Sequence, residues 1–153
     1  MQLDTLDACP LPGLVIRHFT ARDVISRWDV VEVHIQAGAA TAARFLDSII
    51  SGMPFTMKAI QVDGGSEFQA HFEEACLEKG IRLFVLPPRS PKLNGSVERG
   101  QRTHTEEFYE IYDGELEIVP LNHALKDWEY VYNHVRPHQA PGYLTPEEFL
   151  AYA

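Results

Sequence analysis

Three acidic residues are placed so that their carboxylates could share one site. Asp63 ends the apolar part of "IQVDGGSEF", so we expect it at the carboxyl end of a buried strand, where ligands gather in sheets covered by helices. Asp4 stands in the first strand-like segment, "MQLDTLDA", and Glu98 lies early in a long helical segment. The chemistry expected is therefore that of carboxylates gathered at the end of a sheet.

Each acid also has a simpler explanation when it is taken alone. Asp63–Gly65 is ordinary turn chemistry, and a lone Glu98 on a helix is usually a solvated surface residue. The segment "SEFQ" resembles a capping box with Ser66 as N-cap and Gln69 reaching back, which would make Glu67 an acid that complements the helix dipole. Only the combination of acids favours a site.

Alternation along the first strand allows at most one of its two acids to take part. Side chains of a strand point to opposite faces in turn, so Asp4 and Asp7 cannot both face Asp63. On the helix of Glu98, a polar stripe continues through Gln101 and Arg102, at helical spacing. One of the two acids of the first strand could therefore share a site with Asp63 and Glu98.

Periodicity predicts an α/β protein with a mixed sheet and helices on its faces. The first ~35 residues read as a three-stranded antiparallel meander. Two further strands and four helices follow, predicted in the order "AATAARFLDSII" (helix), "MKAIQVD" (strand), "EFQAHFEEACLEKG" (helix), "IRLFVL" (strand), a long helix from about residue 94 or 95 to 112, and a last helix over 121–135.

Composition indicates an ordinary globular domain. The 153 residues are 45% hydrophobic and 23% charged, with no membrane-length apolar run and no signal peptide, so a cytoplasmic setting is expected. The two cysteines, Cys9 and Cys76, have neither disulfide-framework nor zinc spacing. The net charge of −9 argues against a nucleic-acid partner, but the segment 89–102 holds four basic residues and one acid, so one surface is basic.

Several motifs together resemble the catalytic core of the retroviral-integrase and bacterial insertion-sequence transposase superfamily. The segment "QLDTLD" resembles its first-strand motif, "DVISRW" its Asp-x-x-Ser-Arg hairpin, and "VDGGSEF" its second motif, in which Gly64 replaces the common Asn. "PRSPKLNGSVERGQRT" is similar to the third motif, a loop leading to the catalytic Glu, and "YNHVRPHQAPGYLTPEEF" to the insertion-sequence tail, with Pro141 where Leu is usual.

The resemblance implies a fold and a chemistry. The fold would be RNase H-like, a mixed five-stranded sheet of three antiparallel strands followed by two parallel ones, flanked by helices. Its catalytic and metal-binding residues would be Asp4, Asp63 and Glu98, with two Mg²⁺ or Mn²⁺ ions ~3.5–4 Å apart. Asp4 and Asp63 would hold one ion, and Asp4 would share the other with Glu98. The reaction would be metal-dependent phosphodiester cleavage and strand transfer in DNA integration and recombination.

The same resemblance implies partners and domains. The partners would be DNA, as transposon ends and target, and a second copy in a homo-oligomer, with a dimer possible. Residues 1–115 would form the RNase H-like core and 116–153 a C-terminal helix and tail, and the upstream DNA-binding module would be absent from the chain. The candidate DNA-contacting residues are Arg89, Lys92, Gln101 and Arg102. Asp23 and Arg27 are expected to fix the hairpin rather than touch substrate.

Three alternatives stay open at the level of sequence. An RNase H-type nuclease would only hydrolyse, and the insertion-sequence tail argues against it. A non-catalytic integrase-like module for DNA binding or assembly is disfavoured because all three acids are present. An RNA-binding or interaction protein is disfavoured because no aromatic pattern of the RNA-recognition type occurs.

The proline-containing segment Pro87–Gly95 is predicted to be mobile. Its prolines deny it regular hydrogen bonds, and Leu93 is its only bulky apolar anchor. Glu98 would then be positioned only as well as this loop, and would turn outward in the absence of metal because the other acids repel it. Metal and DNA together would close the site.

Overall fold

A mixed five-stranded sheet forms the centre of the chain. The computed structural model describes residues 1–90 and 92–153 fully and Pro91 by its backbone alone. The strands lie in the order β3-β2-β1-β4-β5 and are β1 (Gln2–Leu11), β2 (Leu14–Arg22), β3 (Asp29–His34), β4 (Ala59–Val62) and β5 (Arg82–Val85). Strands β1, β2 and β3 pair antiparallel, and β4 and β5 join parallel, so the predicted sheet is confirmed.

Five helices surround the sheet. They are α1 (Ala39–Gly52), α2 (His71–Glu78), α3 (Gly95–His104), α4 (Ile118–His134) and α5 (Pro146–Tyr152). Helix α3 continues into one π-helical turn over Thr105–Tyr109, and single 3-10 turns cover Ser66–Phe68 and Pro91–Leu93. Among the described residues, no helix is long and apolar enough to cross a membrane.

Helix α2 begins later than predicted, and helix α5 was not predicted. The capping box at Ser66 is wrong, because this residue opens a separate 3-10 turn without a side-chain cap and α2 begins only at His71. Ala70 between them has a φ of 46°, which interrupts the helix. Conversely, α5 carries a complete capping box between Thr145 and Glu148, a local signal that the sequence reading did not use.

Alternation along β2 separates an apolar face from a buried polar face. Phe19 and Ala21 point into the core shared with α1 and α2. His18, Thr20 and Arg22 point the other way, toward α3 and α4, and all three are buried. The helix that carries Glu98 therefore rests on polar side chains rather than on an apolar face.

These polar side chains form one continuous hydrogen-bonded network. Arg22 makes two hydrogen bonds to Asp29, of 2.6 and 2.5 Å, and a third to the Tyr132 hydroxyl. His104 Nε2 donates to Asp29 Oδ2 over 2.9 Å, and its Nδ1 lies 3.0 Å from His18 Nε2. Because buried polar groups are costly when unpaired, this closed network fixes how α3 and α4 lie on the sheet.

The protonation states in the network follow from the acceptors. A carboxylate cannot donate, so His104 Nε2 carries a proton, and its Nδ1 then accepts from His18 Nε2. His18 Nδ1 in turn accepts from the Tyr109 hydroxyl over 2.7 Å. Burial lowers the pKa of both histidines, in keeping with two neutral rings. Burial alone would raise the pKa of Asp29, but Arg22 outweighs burial and lowers that pKa to about 2.

Helix α4 covers the exposed edge of β3 with side chains that imitate a neighbouring strand. Asn133 accepts from the Asp29 N–H and donates to the Asp29 carbonyl, at 2.9 and 2.7 Å. Asn122 makes the same pair of bonds to Val33, at 2.9 and 2.8 Å, and Glu129 accepts from the Val31 N–H between them. Open strand edges invite aggregation, and here the C-terminal segment satisfies the edge.

Gly100 allows α3 to approach the Arg22 guanidinium. A Cβ at this position would lie 2.5 Å from Arg22 Cζ and 2.8 Å from Nε. Since Arg22 is held by Asp29, Tyr132 and the Ser96 carbonyl, it has no free direction in which to move.

Replacing this glycine tests whether α3 is seated on Arg22. Gly100→Ala is expected to lower the free energy of unfolding by about 2 kcal/mol, because the methyl group overpacks a buried site. The matched control is Gly95→Ala in the same helix, where an added Cβ meets nothing within 4 Å. This control should leave stability unchanged or raise it by up to ~1 kcal/mol. Urea titration measures both, and equal effects of the two changes would contradict the seating of α3 on Arg22.

Candidate active site

The first two acids lie side by side at one end of the sheet. In the parallel pair β1 and β4, Leu3 is opposite Val62. Asp4 is the next residue of β1, and Asp63 directly follows the end of β4. Asp7 lies on the other face and pairs with Arg17. The predicted sharing of a face by Asp4 and Asp63, with Asp7 excluded, follows from this register.

Gly65 donates a hydrogen bond to Asp63 and leaves room beside its carboxylate. Its N–H donates to Asp63 Oδ1 over 2.9 Å. A Cβ at Gly65 would lie 3.0 Å from that oxygen and 2.7 Å from Glu67 Oε2, so two carboxylates pack against the bare glycine. Gly64 has open space instead. Of the two glycines after Asp63, Gly65 is therefore the one whose lack of a side chain matters.

Glu67 is an acid of this site that the sequence reading assigned to a helix start. Its Oε1 accepts from the Thr5 hydroxyl over 2.9 Å, which joins the turn after β4 to β1 beside Asp4. The short 3-10 turn it occupies brings it back toward the sheet. The Thr5 hydroxyl, directly after Asp4, is the partner of Glu67, but the two residues are 62 positions apart, so the sequence alone does not indicate their contact.

Helix α3 brings the third acid from the other side. Glu98 lies in the first turn of α3 and is exposed, and its N–H donates to the Asn94 carbonyl. Asn94, which precedes the helix, is 5% exposed and donates from Nδ2 to Asp4 Oδ2 over 3.3 Å. Asn94 thus connects the start of the Glu98 helix directly to the first acid.

The start of α3 is held by the sheet as well as by the loop before it. The Leu93 carbonyl accepts from Gln2 Nε2 and Gln61 Nε2, at 2.6 and 2.7 Å. Gln2 Oε1 also accepts from the Val97 N–H. The expectation that Glu98 is positioned only as well as the loop is therefore wrong, because glutamines of β1 and β4 fix the helix start. Mobility of Pro87–Gly95 stays a prediction, and for Pro91 in that range the side chain lies outside the described residues.

The acids act on one another electrostatically. The pKa of Asp4 is raised to about 6, chiefly by burial and additionally by the negative charges of Asp63, Glu98 and Glu67, against the lowering effect of the Thr5 N–H. At neutral pH the ionised Asp4 therefore costs the fold part of its stability. A cation placed among these groups would relieve that strain.

The donor chemistry fits a hard divalent cation. Carboxylate and amide oxygens are what Mg²⁺ prefers, and Asn94 Oδ1 is a buried amide oxygen that has no hydrogen-bond partner among the described residues. Across the described part of the chain, however, no three acidic, histidine or cysteine side chains are close enough together to hold a metal ion. The acids face a common region without being drawn together at ligating distance.

The candidate DNA-contacting residues fall into two groups. Arg89, Lys92 and Arg102 are exposed. Gln101 is buried, with 7% of its surface exposed, so the predicted stripe of Glu98, Gln101 and Arg102 is only partly open to a ligand. Gln101 could touch DNA only if α3 moved away from the sheet.

The hairpin residues behave differently from each other. Asp23 Oδ2 accepts from the Ser26 N–H and hydroxyl, both at 2.8 Å, so Asp23 fixes the hairpin as predicted. Arg27, with a φ of 67°, instead donates to the Ser96 hydroxyl at the start of α3. Its contact lies between the hairpin and the helix that carries Glu98.

Comparison with known proteins shows which families these features resemble. The family model for the integrase core domain matches residues 79–146, which include Glu98. A putative integrase of Spiroplasma virus SpV1-C74 is 31% identical over 105 residues, covering 60% of this chain and 28% of the relative. An uncharacterised 31.7 kDa protein of insertion element IS407 from Burkholderia multivorans is 28% identical over 143 residues, covering 90% and 47%. The chain thus spans less than half the length of these relatives.

Solved structures agree on the fold. The catalytic core domain of BIV integrase superposes with a TM-score of 0.75 at 24% identity, over 99% of this chain and 93% of that one. A chain of the simian T-cell lymphotropic virus intasome, solved in complex with PP2A regulatory subunit B56 gamma, gives 0.80 at 19% identity, over 97% and 52%. The RNase H-like sheet, the family-model match and the sequence relatives together make the chain similar, in sequence and fold, to the catalytic cores of retroviral integrases and insertion-sequence transposases.

Proposed function

We propose that this chain is the catalytic core of a DNA transposase, which cleaves a phosphodiester bond and joins the resulting 3′-hydroxyl to another DNA strand. The observation that carries the proposal is the convergence of acids from three elements, with Asp4 and Asp63 on neighbouring strands and Glu98 on α3. The insertion-element relative favours transposition as the biological setting.

Divalent metal ions are part of the proposal. Asp4, Asp63 and Glu98 would hold two Mg²⁺ or Mn²⁺ ions, which when bound supply neutralisation of charge on the attacking and leaving oxygens. Asn94 orients Asp4 through its amide, and the Gly65 N–H orients Asp63. Glu67 would add negative charge beside the ions and is held off from Asp4 by its bond to Thr5.

DNA would approach across the exposed basic residues near the site. Arg89 and Lys92 stand in the segment before α3, and Arg102 lies one turn after Glu98. Such contacts neutralise phosphates and position the strand without reading sequence. A homo-oligomer, with a dimer as the smallest form, would bring two DNA ends together, in line with the intasome whose fold this chain shares.

Two other functions make different predictions. An RNase H-type nuclease would use the same acids but would release hydrolysed ends without joining them. A non-catalytic module for DNA binding or assembly would bind DNA and be indifferent to loss of the acids. A branched DNA substrate, on which both cleavage and joining can be followed, separates the three.

Substitution of the acids tests the proposed chemistry. Asp4→Asn, Asp63→Asn and Glu98→Gln are each expected to abolish metal-dependent joining on branched DNA, because each removes a charged oxygen ligand without changing side-chain size. Asp7→Asn is the matched control, since this exposed acid lies on the opposite face and pairs with Arg17. Full activity in any of the three variants would remove that residue from the site, and cleavage without joining by the unchanged chain would favour the nuclease.

The raised pKa of Asp4 predicts a pH-dependent effect on stability. A carboxyl whose pKa is higher in the folded than in the unfolded chain stabilises the fold below pH ~4, and this stability is lost as the pH rises through about 6. Without metal, Asp4→Asn should therefore raise the melting temperature at pH 8 by roughly 5 °C and change it little at pH 4. Thermal unfolding of both proteins at the two pH values measures this, and an equal shift at both would show that charge is not the cause.

A further inference from the structure

A small cavity lies beside the catalytic helix on a face that the proposed chemistry does not use. It has a volume of about 150 Å³ and lies between α3, the turn before β3 and the segment after α4. Three arginines from these separate segments line it: Arg27 from the turn, Arg99 from α3 and Arg136 from the C-terminal segment. Convergence of like charges from three parts of a chain needs a physical reason.

The charges in the cavity are only partly compensated. Arg136 pairs with Glu107 over 2.5 Å. Arg27 donates to the neutral Ser96 hydroxyl, and within the described part of the chain neither Arg27 nor Arg99 lies within ion-pair distance of a carboxylate. Arg22, at the floor, is balanced by Asp29. The cavity therefore keeps a positive charge in a protein whose net charge is −9.

Contacts within the fold hold Arg22, Arg27 and Arg136 in place, whereas Arg99 is exposed. The Arg22 and Arg136 guanidinium carbons lie 5.4 and 5.5 Å from the centre of the Tyr132 ring. His138 Nε2 donates to the Tyr132 carbonyl over 2.9 Å, which fixes the chain just after Arg136. A preformed arrangement of this kind loses little side-chain entropy when an anion enters.

The chemistry and size of the cavity suit a phosphate group. Guanidinium groups bind phosphate oxygens through paired N–H donors in a planar fork. The volume equals the share of roughly five water molecules at ~30 Å³ each, which accommodates one phosphate with part of its hydration but not a nucleoside. Thr103, one helical turn after Arg99, adds a hydroxyl to the lining.

The position of the cavity on α3 relates it to the reacting bond. Arg99 and Thr103 form one row of the helix, and Glu98 and Arg102 form the adjacent row. A DNA strand that reaches Glu98 would therefore pass directly beside the cavity.

We propose that Arg27, Arg99 and Arg136 form a binding pocket for a single backbone phosphate of the DNA, a neighbour of the phosphate that is being cut. The inference rests on the proposed function, since it takes DNA as the ligand. It also gives a role to the tail "YNHVRPH": Tyr132 and His138 hold Arg136 in the pocket, while Asn133 covers the strand edge. The pocket positions DNA and takes no part in the chemical step.

Salt dependence of DNA binding tests the pocket. Binding of a labelled duplex to the 153-residue chain is measured by fluorescence anisotropy over a range of salt concentrations in EDTA, so that the result does not depend on metal or cleavage. Arg99→Gln and Arg136→Gln should each reduce the slope of log K against log salt by about 0.9, the value for one phosphate. The double variant should lose no more than either single one, because both arginines contact the same phosphate.

Two further variants sharpen the test. Arg44→Gln, an equal change of charge at an exposed position of α1, should leave the slope unchanged. Glu107→Gln should strengthen DNA binding, because it releases Arg136 from its ion pair. Circular dichroism would check that each variant is folded. Because the Arg99 side chain is exposed, Arg99→Gln keeps the test valid even if the Arg136 variant unfolds.

The outcomes separate the pocket from the function. Unchanged slopes in the Arg99 and Arg136 variants, losses that add in the double variant, or absence of duplex binding by the unchanged chain would each overturn the pocket. Competition by inorganic phosphate at the affinity of DNA, with no effect of the variants on the DNA slope, would assign the pocket to free phosphate and also overturn the proposal. Failure of the unchanged chain to cleave DNA, with the slopes changed as expected, would reject the transposase function and leave the phosphate pocket standing.

Discussion

The buried ion pair between Arg22 and Asp29 is the interaction on which the rest of the structure depends. Both side chains are almost fully removed from solvent, which is costly for charged groups unless every hydrogen bond is made. The second partners are supplied by Tyr132 of α4 and His104 of α3. Loss of one member of such a pair costs about 3–5 kcal/mol, because it leaves a buried charge behind. The pair therefore joins sheet and helices in one cooperative unit.

This unit determines the position of helix α3, and α3 in turn positions both Glu98 and the arginine cavity. Gly100 lets the helix rest on Arg22, and Gln2 ties the helix start to β1 two residues before Asp4. Adjacent rows of the same short helix then present Glu98 and Arg99. A change in the seating of α3 would displace the third acid and the arginine cavity together, so the positions of the proposed metal ligand and of the proposed phosphate pocket are mechanically linked.

Sequence reasoning predicted the sheet because it rests on local patterns. Strand alternation showed that Asp4 and Asp7 lie on opposite faces, and the motifs around Asp4, Asp63 and Glu98 indicated the superfamily and the choice of Asp4. The buried network was not predicted, because polar residues alternating along β2 read as a solvated strand face until another element is known to cover it. Asn94 and Glu67 were missed for a related reason: their partners, Asp4 and Thr5, are distant in sequence. The glutamines that hold the α3 start reversed the expectation that the loop alone positions Glu98.

Two carboxyl groups in this protein have pKa values shifted in opposite directions: the pKa of Asp29 is lowered and that of Asp4 is raised. In the scaffold network, each charge has its partner within the chain, and Asp29 is ionised with a lowered pKa. At the end of the sheet, burial and the nearby negative charges of Asp63, Glu98 and Glu67 raise the pKa of Asp4. Since apolar packing on both faces of the sheet supports the fold, the scaffold can tolerate an unfavourable cluster at its rim. A cation bound at that end of the sheet would offset the cost of the buried Asp4 carboxylate and its repulsion by the neighbouring acids.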